Sequence, residues 1–119
     1  MPTVYSYPRC STCRKADKWL RERSIDAETI DLSSDPPSAE VLASAITRSG
    51  LPLKRFFNTS GRSYRGGGWK DRLPGLDVAG AAEALAADGM LIKRPLVLLD
   101  DGAVLVGFKE AEWEAALGL

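Results

Sequence analysis

Two cysteines, Cys10 and Cys13, stand three positions apart in the run Tyr5-Ser6-Tyr7-Pro8-Arg9-Cys10-Ser11-Thr12-Cys13-Arg14-Lys15. A short β-prone stretch ends at Pro8, and a helical pattern begins after Cys10. That order places Cys10 at the start of a helix, where unpaired backbone N–H groups and the helix dipole favour an anion. Arg9, Arg14 and Lys15 add positive charge nearby. Each feature lowers a thiol pKa, and the thiolate is the form that acts as nucleophile. In the redox reading, Cys10 is the exposed acidic thiol that attacks an oxidised substrate. Cys13, one helical turn on, closes a disulfide and releases the product. The plain alternative is a pair of unreactive cysteines packed in a helix. A third, half of a zinc site, lacks histidine and a second cysteine pair.

The chain that must position these thiols has 119 residues, which fits one α/β domain. Lys+Arg and Asp+Glu balance at 16 each, so no global field draws the chain to nucleic acid or to an anionic membrane. No apolar run approaches the ~20 residues of a membrane span, and no signal-peptide pattern opens the sequence, so a cytoplasmic location is expected. With no histidine, a Cys/His pair, a Ser/His/Asp triad and a Cys2His2 zinc site are excluded within the chain.

Thr3 to Tyr7 reads as a first strand, and the helix from about Ser11 to Arg23 carries Ala16, Trp19 and Leu20 at i, i+3 and i+4. Ile25 to Leu32 reads as a second strand, parallel to the first through that helix, with the cysteine loop at the carboxyl end of the first strand. Asp35-Pro36-Pro37-Ser38 starts a helix whose buried face is Leu42, Ala45 and Ile46 and whose end is Gly50. Leu51 to Leu76 loosens into one or two short helices joined by loops. Val78 to Ala87 is helical, with Val78, Ala82 and Leu85 on one side and Gly89 as its stop. Leu96 to Leu99 is an apolar strand after Pro95, Asp101-Gly102 is a hairpin turn, and Val104 to Gly107 follows. The last helix spans about Glu110 to Leu117, with Trp113, Ala116 and Leu117 buried.

Two further groups have chemistry to offer. Arg94 precedes a proline, which pushes it toward extended backbone, and its planar fork suits a tetrahedral oxyanion or a carboxylate. The alternative is a solvated basic residue before an edge strand. Lys54, Arg55, Arg62, Arg65, Lys70 and Arg72 crowd the middle of the chain against one acid, Asp71. A chain without net charge is a poor nucleic-acid binder. A basic rim over the thiol, steering an anionic substrate or glutathione, fits better. A solvated surface over buried Phe56, Phe57 and Trp69 is the other possibility. Gly66-Gly67-Gly68 lacks the strand-before, helix-after setting of a dinucleotide loop and reads as a turn.

The order strand, C-x-x-C helix, strand, helical middle, Pro, hairpin and helix describes a thioredoxin-like fold. The run from Tyr5 to Ala16, Phe57-Asn58-Thr59-Ser60-Gly61, Gly89-Met90-Leu91-Ile92-Lys93-Arg94-Pro95 and Val106-Gly107-Phe108 resemble the arsenate reductase/Spx family, closest to its small cytosolic arsenate reductase-like members. The resemblance implies a thioredoxin/glutaredoxin-like mixed sheet over residues 1–119, with a helical insertion at about 38–90. It implies that Cys10 attacks arsenate, that Cys13 and Arg94 share the catalytic site, and that Pro95 is a cis-proline. Ser11, Thr12, Arg14, Asn58, Arg94 and Pro95 are the implied substrate contacts. The implied reductant is glutathione with glutaredoxin, or thioredoxin, with no bound cofactor or metal. A Spx-like regulator that binds RNA polymerase and a general disulfide reductase are the alternatives. Glutaredoxin-linked enzymes carry two further anion-binding arginines. Here Asn58 stands at the first position, with Arg55 and Arg62 close by in sequence, and Gly107 at the second. Cys13 replaces a serine.

Overall fold

The computed structural model describes residues 1–119. β1 (Thr3–Ser6) leads through the cysteine loop into α1 (Ser11–Glu22), and β2 (Glu28–Asp31) returns parallel to β1. Ala16, Trp19 and Leu20 form the buried stripe of α1, as their spacing predicts. β2 begins three residues later than the sequence pattern suggests. The Ile25 N–H is taken by the Leu20 carbonyl at 3.0 Å, which ties Ile25 to the end of α1. Pairing starts only where Glu28 N–H reaches the Pro2 carbonyl at 2.8 Å.

α2 (Ala39–Ser49) opens on Ser38, whose hydroxyl accepts the Val41 N–H at 3.2 Å, and closes on left-handed Gly50 at φ 66°. A 3₁₀ turn at Leu53–Phe56, α3 (Arg62–Gly66), α4 (Trp69–Arg72) and a second turn at Leu73–Gly75 make up the loosely patterned middle. Gly66 belongs to α3, and Gly68 takes the left-handed conformation between α3 and α4. Trp69 is only half-buried and lies under the Arg72 guanidinium, 3.7 Å from its ring. α5 (Val78–Ala87) is capped by Asp77, which accepts the Gly80 N–H at 2.8 Å, and buries Ala81, Ala82 and Leu85. Val78, expected on that face, is half-buried.

Gly89 corrects the sequence reading. The helix stops at Asp88, in extended backbone, and a third 3₁₀ stretch begins at Gly89. The glycine is needed because a Cβ there would run into the Leu32 carbonyl. Close approach of backbone, not a left-handed turn, selects it.

β3 (Leu96–Leu98) and β4 (Val104–Val106) form the final hairpin, and β3 runs antiparallel to β1, so the sheet is mixed with order β2-β1-β3-β4. Gly102 at φ 88° makes the turn that Asp101-Gly102 announces, and the Asp101 carboxylate accepts the Ala103 N–H at 2.9 Å. α6 (Glu110–Leu117) closes the chain, with Trp113 buried and Ala116 and Leu117 half-buried.

Strand alternation divides the core in two. Val4, Val97 and Leu105 face α1 and α6 with Trp19 and Trp113. Leu96 and Val106 face the opposite layer of α2 and α5, with Leu42, Ile46, Phe56 and Leu85. This is the thioredoxin-like arrangement. No helix is long and apolar enough to cross a membrane.

Candidate active site

The loop between β1 and α1 turns at Tyr7, whose carbonyl accepts the Cys10 N–H at 3.0 Å. Cys10 is then the N-cap of α1. Its backbone is extended, its carbonyl accepts the Arg14 N–H at 3.1 Å, and its sulfur accepts the Cys13 N–H at 3.3 Å. A cap is normally a hydroxyl or carboxylate oxygen. Here a sulfur does that work, and no acid lies in the first turn to compete for the helix's positive end.

The two thiols are unlike. Cys13 is 4% exposed and Cys10 is half-buried, and they are not bonded to each other. Burial pushes the Cys13 thiol up to about 12, and donating its proton to the Cys10 sulfur adds to that shift. For Cys10, burial raises the pKa. The hydrogen bonds from the Cys13 thiol and backbone N–H, with that from Arg94 and its charge, outweigh burial and leave Cys10 below an ordinary cysteine. The arrangement therefore separates a thiolate nucleophile from a protonated partner that stabilises it. Arg9, Arg14 and Lys15, expected to help, are exposed side chains that do not figure among the causes. Arg14 instead reaches back toward the Pro8 carbonyl at 3.4 Å.

Arg94 arrives from the far end of the sequence. Phe57 bridges to Ile92 across an isolated antiparallel pair, and Asn58 N–H and Lys93 N–H bond the Leu91 and Phe56 carbonyls at 2.8 Å each. These contacts dock the middle of the chain on the segment before Pro95. The Arg94–Pro95 bond is cis and Pro95 is buried. Arg94 donates to the Met90 carbonyl at 3.2 Å and lies 5.3 Å over the Tyr7 ring, and its guanidinium is among the groups that lower the Cys10 pKa. Its fork keeps further N–H groups for a ligand.

Arg94 also lines a cleft with Asn58, Ser60, Arg62, Ser63 and Arg65. Its volume, about 540 Å³, falls in the range of ligand sites. Of the two arginines near Asn58 in sequence, Arg62 shares this cleft with Arg94. Arg55 lies in a different cleft, beside Gly107 and Thr12. Ser11 and Thr12 sit exposed on the first turn of α1. The sequence did not single out Ser60 or Ser63 as contacts at this site, and it read Arg65 only as one member of a basic rim over the thiol. Their position depends on the α3 fold, which no local pattern signals. No cluster of three or more His, Cys, Asp or Glu side chains is arranged to hold a metal.

A family model described as the ArsC family matches residues 5–116. The uncharacterized protein YusI of Bacillus subtilis (strain 168) is 49% identical over 112 residues, covering 94% of each chain. The solved structure of a possible arsenate reductase from Streptococcus mutans UA159 superposes with a TM-score of 0.90 at 45% identity, covering 98% of each chain. The global transcriptional regulator Spx of Enterococcus faecalis (strain ATCC 700802 / V583) is 28% identical, over 94% of this chain and 83% of the regulator.

Proposed function

The chain belongs to the ArsC family, and on that premise we propose that it is a cytosolic thiol-dependent oxidoreductase that reduces arsenate to arsenite with Cys10 as nucleophile. The observation that carries this reading is the Cys10 sulfur, which caps α1 by accepting the Cys13 N–H at 3.3 Å and is held below an ordinary cysteine with help from the Arg94 charge. Such a site concentrates positive potential on a sulfur that is only half-buried. Thiolate and oxyanion are both anions, so a nucleophile of this kind needs a fixed cation to bring the two together. The solved relative described as a possible arsenate reductase supports the same substrate.

Attack of the Cys10 thiolate on arsenic forms an S–As bond and expels one arsenate oxygen as water, with protons from solvent. Attack of the Cys13 sulfur on Cys10 then forms the Cys10–Cys13 disulfide. The S–As electron pair leaves with arsenic as arsenite, and the Cys13 proton goes to solvent. Two thiols lose two electrons in total, and arsenic gains them. Glutathione with glutaredoxin, or thioredoxin, returns the disulfide to two thiols. Ser11, Thr12, Arg14 and Asn58 are the proposed polar contacts around the anion, with Arg62 and Arg65 in the adjoining cleft.

The test is turnover of arsenate with each reductant system in turn. Activity that depends on one of them and vanishes in Cys10→Ser is expected. Equal rates for wild type and Cys10→Ser would overturn the proposal. The likeness to the Enterococcus regulator supports a second reading, a Spx-like redox switch that acts through RNA polymerase. Capture of the polymerase α subunit, changing with the oxidation state of Cys10 and Cys13, would favour it. Arsenate turnover without such capture would count against it.

A further inference from the structure

Cys10 and Cys13 are the two cysteines of the chain, they are not bonded to each other, and the chain has no histidine. Cys10 caps α1, and Cys13 lies one turn on with its N–H donated to the Cys10 sulfur at 3.3 Å. Positions three apart on a helix share a face. Two sulfurs therefore converge at the start of α1. No Asp or Glu joins them as a third ligand, and the first turn of α1 carries no acid. Ser11 and Thr12 offer only hydroxyls there, and hard oxygen donors hold soft ions poorly.

Coordination number decides which ion fits such a pair. Zinc in protein sites takes four ligands, and two sulfurs leave half of its positions open. A monovalent d10 ion such as Cu(I) or Ag(I) is soft, prefers thiolate, and is satisfied by two sulfurs in a line. Geometry favours a bridging atom. A disulfide needs Cβ atoms about 3.5–4.5 Å apart, whereas helix neighbours at this spacing stand about 5–6 Å apart. An ion between the sulfurs spans that difference without drawing the turn inward. Charge points the same way, because a monovalent ion with two thiolates is an anion. The α1 N-terminus, the Cys13 N–H and the Arg94 charge felt by Cys10 all favour an anion at this place. A zinc ion with two thiolates has no net charge and gains little from them.

We propose that Cys10 and Cys13 form a linear, two-coordinate site for a monovalent soft metal ion of the Cu(I) or Ag(I) kind. Two metal–sulfur bonds form, the protons that the sulfurs carry go to solvent, and no atom changes oxidation state. The ion takes the same two sulfurs as the function proposed above, so a loaded chain is closed to thiol chemistry. The inference needs only the placement of those sulfurs and is independent of arsenate.

The experiment uses the reduced full-length chain and Ag(I), which is stable in air, in chloride-free buffer. Titration calorimetry should give a single Ag(I) per chain, and one equivalent should protect both cysteines from iodoacetamide. A large excess of Zn(II) should neither protect the cysteines nor displace the silver. The chain carrying the Cys10–Cys13 disulfide should bind none. Two ligands held on one scaffold bind ~10²–10⁴-fold more tightly than either alone, so Cys10→Ser and Cys13→Ala should each weaken Ag(I) by that factor. Protection by Zn(II) equal to that by Ag(I), one silver on each sulfur, or a single variant that binds as tightly as wild type would overturn the two-coordinate site. Each of these results would leave standing Cys10 as the nucleophile, which the arsenate turnover of Cys10→Ser tests separately.

Discussion

Alkylation of the reduced protein with limiting iodoacetamide at pH 7 should modify Cys10 well before Cys13. Burial, then the hydrogen bond to Cys10 and the Cys10 charge, push Cys13 to about 12, three units above the ordinary 9.0. Three units leave about 10³-fold less thiolate at neutral pH. A more basic thiolate is intrinsically more nucleophilic, by ~0.4–0.5 log units per pKa unit, which returns a factor of about 20. The net slowing from acidity alone is therefore about 50-fold against an ordinary thiol. The 4% exposure of Cys13 slows it further. Cys10, displaced the other way, should react at least as fast as an ordinary thiol. Trypsin leaves both cysteines on one peptide, Cys10 to Arg14, so the modified position is read by fragment-ion mass spectrometry. The same causes imply a release. Two of the three that raise Cys13 come from Cys10, so Cys13 should label faster in Cys10→Ala than in wild type. Labelling of both cysteines at similar rates, or of Cys13 first, would show that the two thiols do not differ in this way.

Cys13→Ala should stop the cycle after the first bond. Incubation with glutathione disulfide should then accumulate a single Cys10–glutathione adduct by intact mass, whereas wild type should pass on to the internal disulfide. An adduct equally persistent in wild type would remove Cys13 from the chemistry. Gly89→Ala forces a Cβ against the Leu32 carbonyl, a backbone atom that cannot swing aside. A loss of about 2–3 kcal/mol is expected for such overpacking. In a chain of this size that corresponds to a drop of roughly 10 °C in the thermal midpoint. A melting curve within a degree or two of wild type would show that the close approach is absent.

Much of the fold was legible because its signals are local. Ala16, Trp19 and Leu20 at helical spacing, Ser38 before a helix, Gly50 after it, and Asp101-Gly102 between two apolar runs each fix their own element. The family motifs placed Cys10 and the Arg94–Pro95 pair on a thioredoxin-like frame. What escaped depends on contacts distant in sequence. The start of β2 was misplaced because Ile25 is claimed by Leu20 at the end of α1. Gly89 looked like a helix stop, and its reason lies in Leu32, on the other side of α2. The basic residues of the middle segment read as one rim. The fold divides them, sending Arg62 and Arg65 to Arg94 and Arg55 to Lys93. That division follows from the bridge between Phe57 and Ile92, which no spacing rule exposes.

Protonation of Cys10 is the point on which the chemistry turns. An ultraviolet thiolate titration of wild type, with Cys10→Ser as the blank, follows it directly. An inflection below the ordinary cysteine value of 9.0 is expected, set by Cys13 and Arg94 against the opposing effect of burial. Arsenate should move that inflection upward, because a bound anion beside the sulfur disfavours its charged form. An inflection at or above 9.0 that arsenate leaves in place would contradict the claim that Cys10 is the nucleophile.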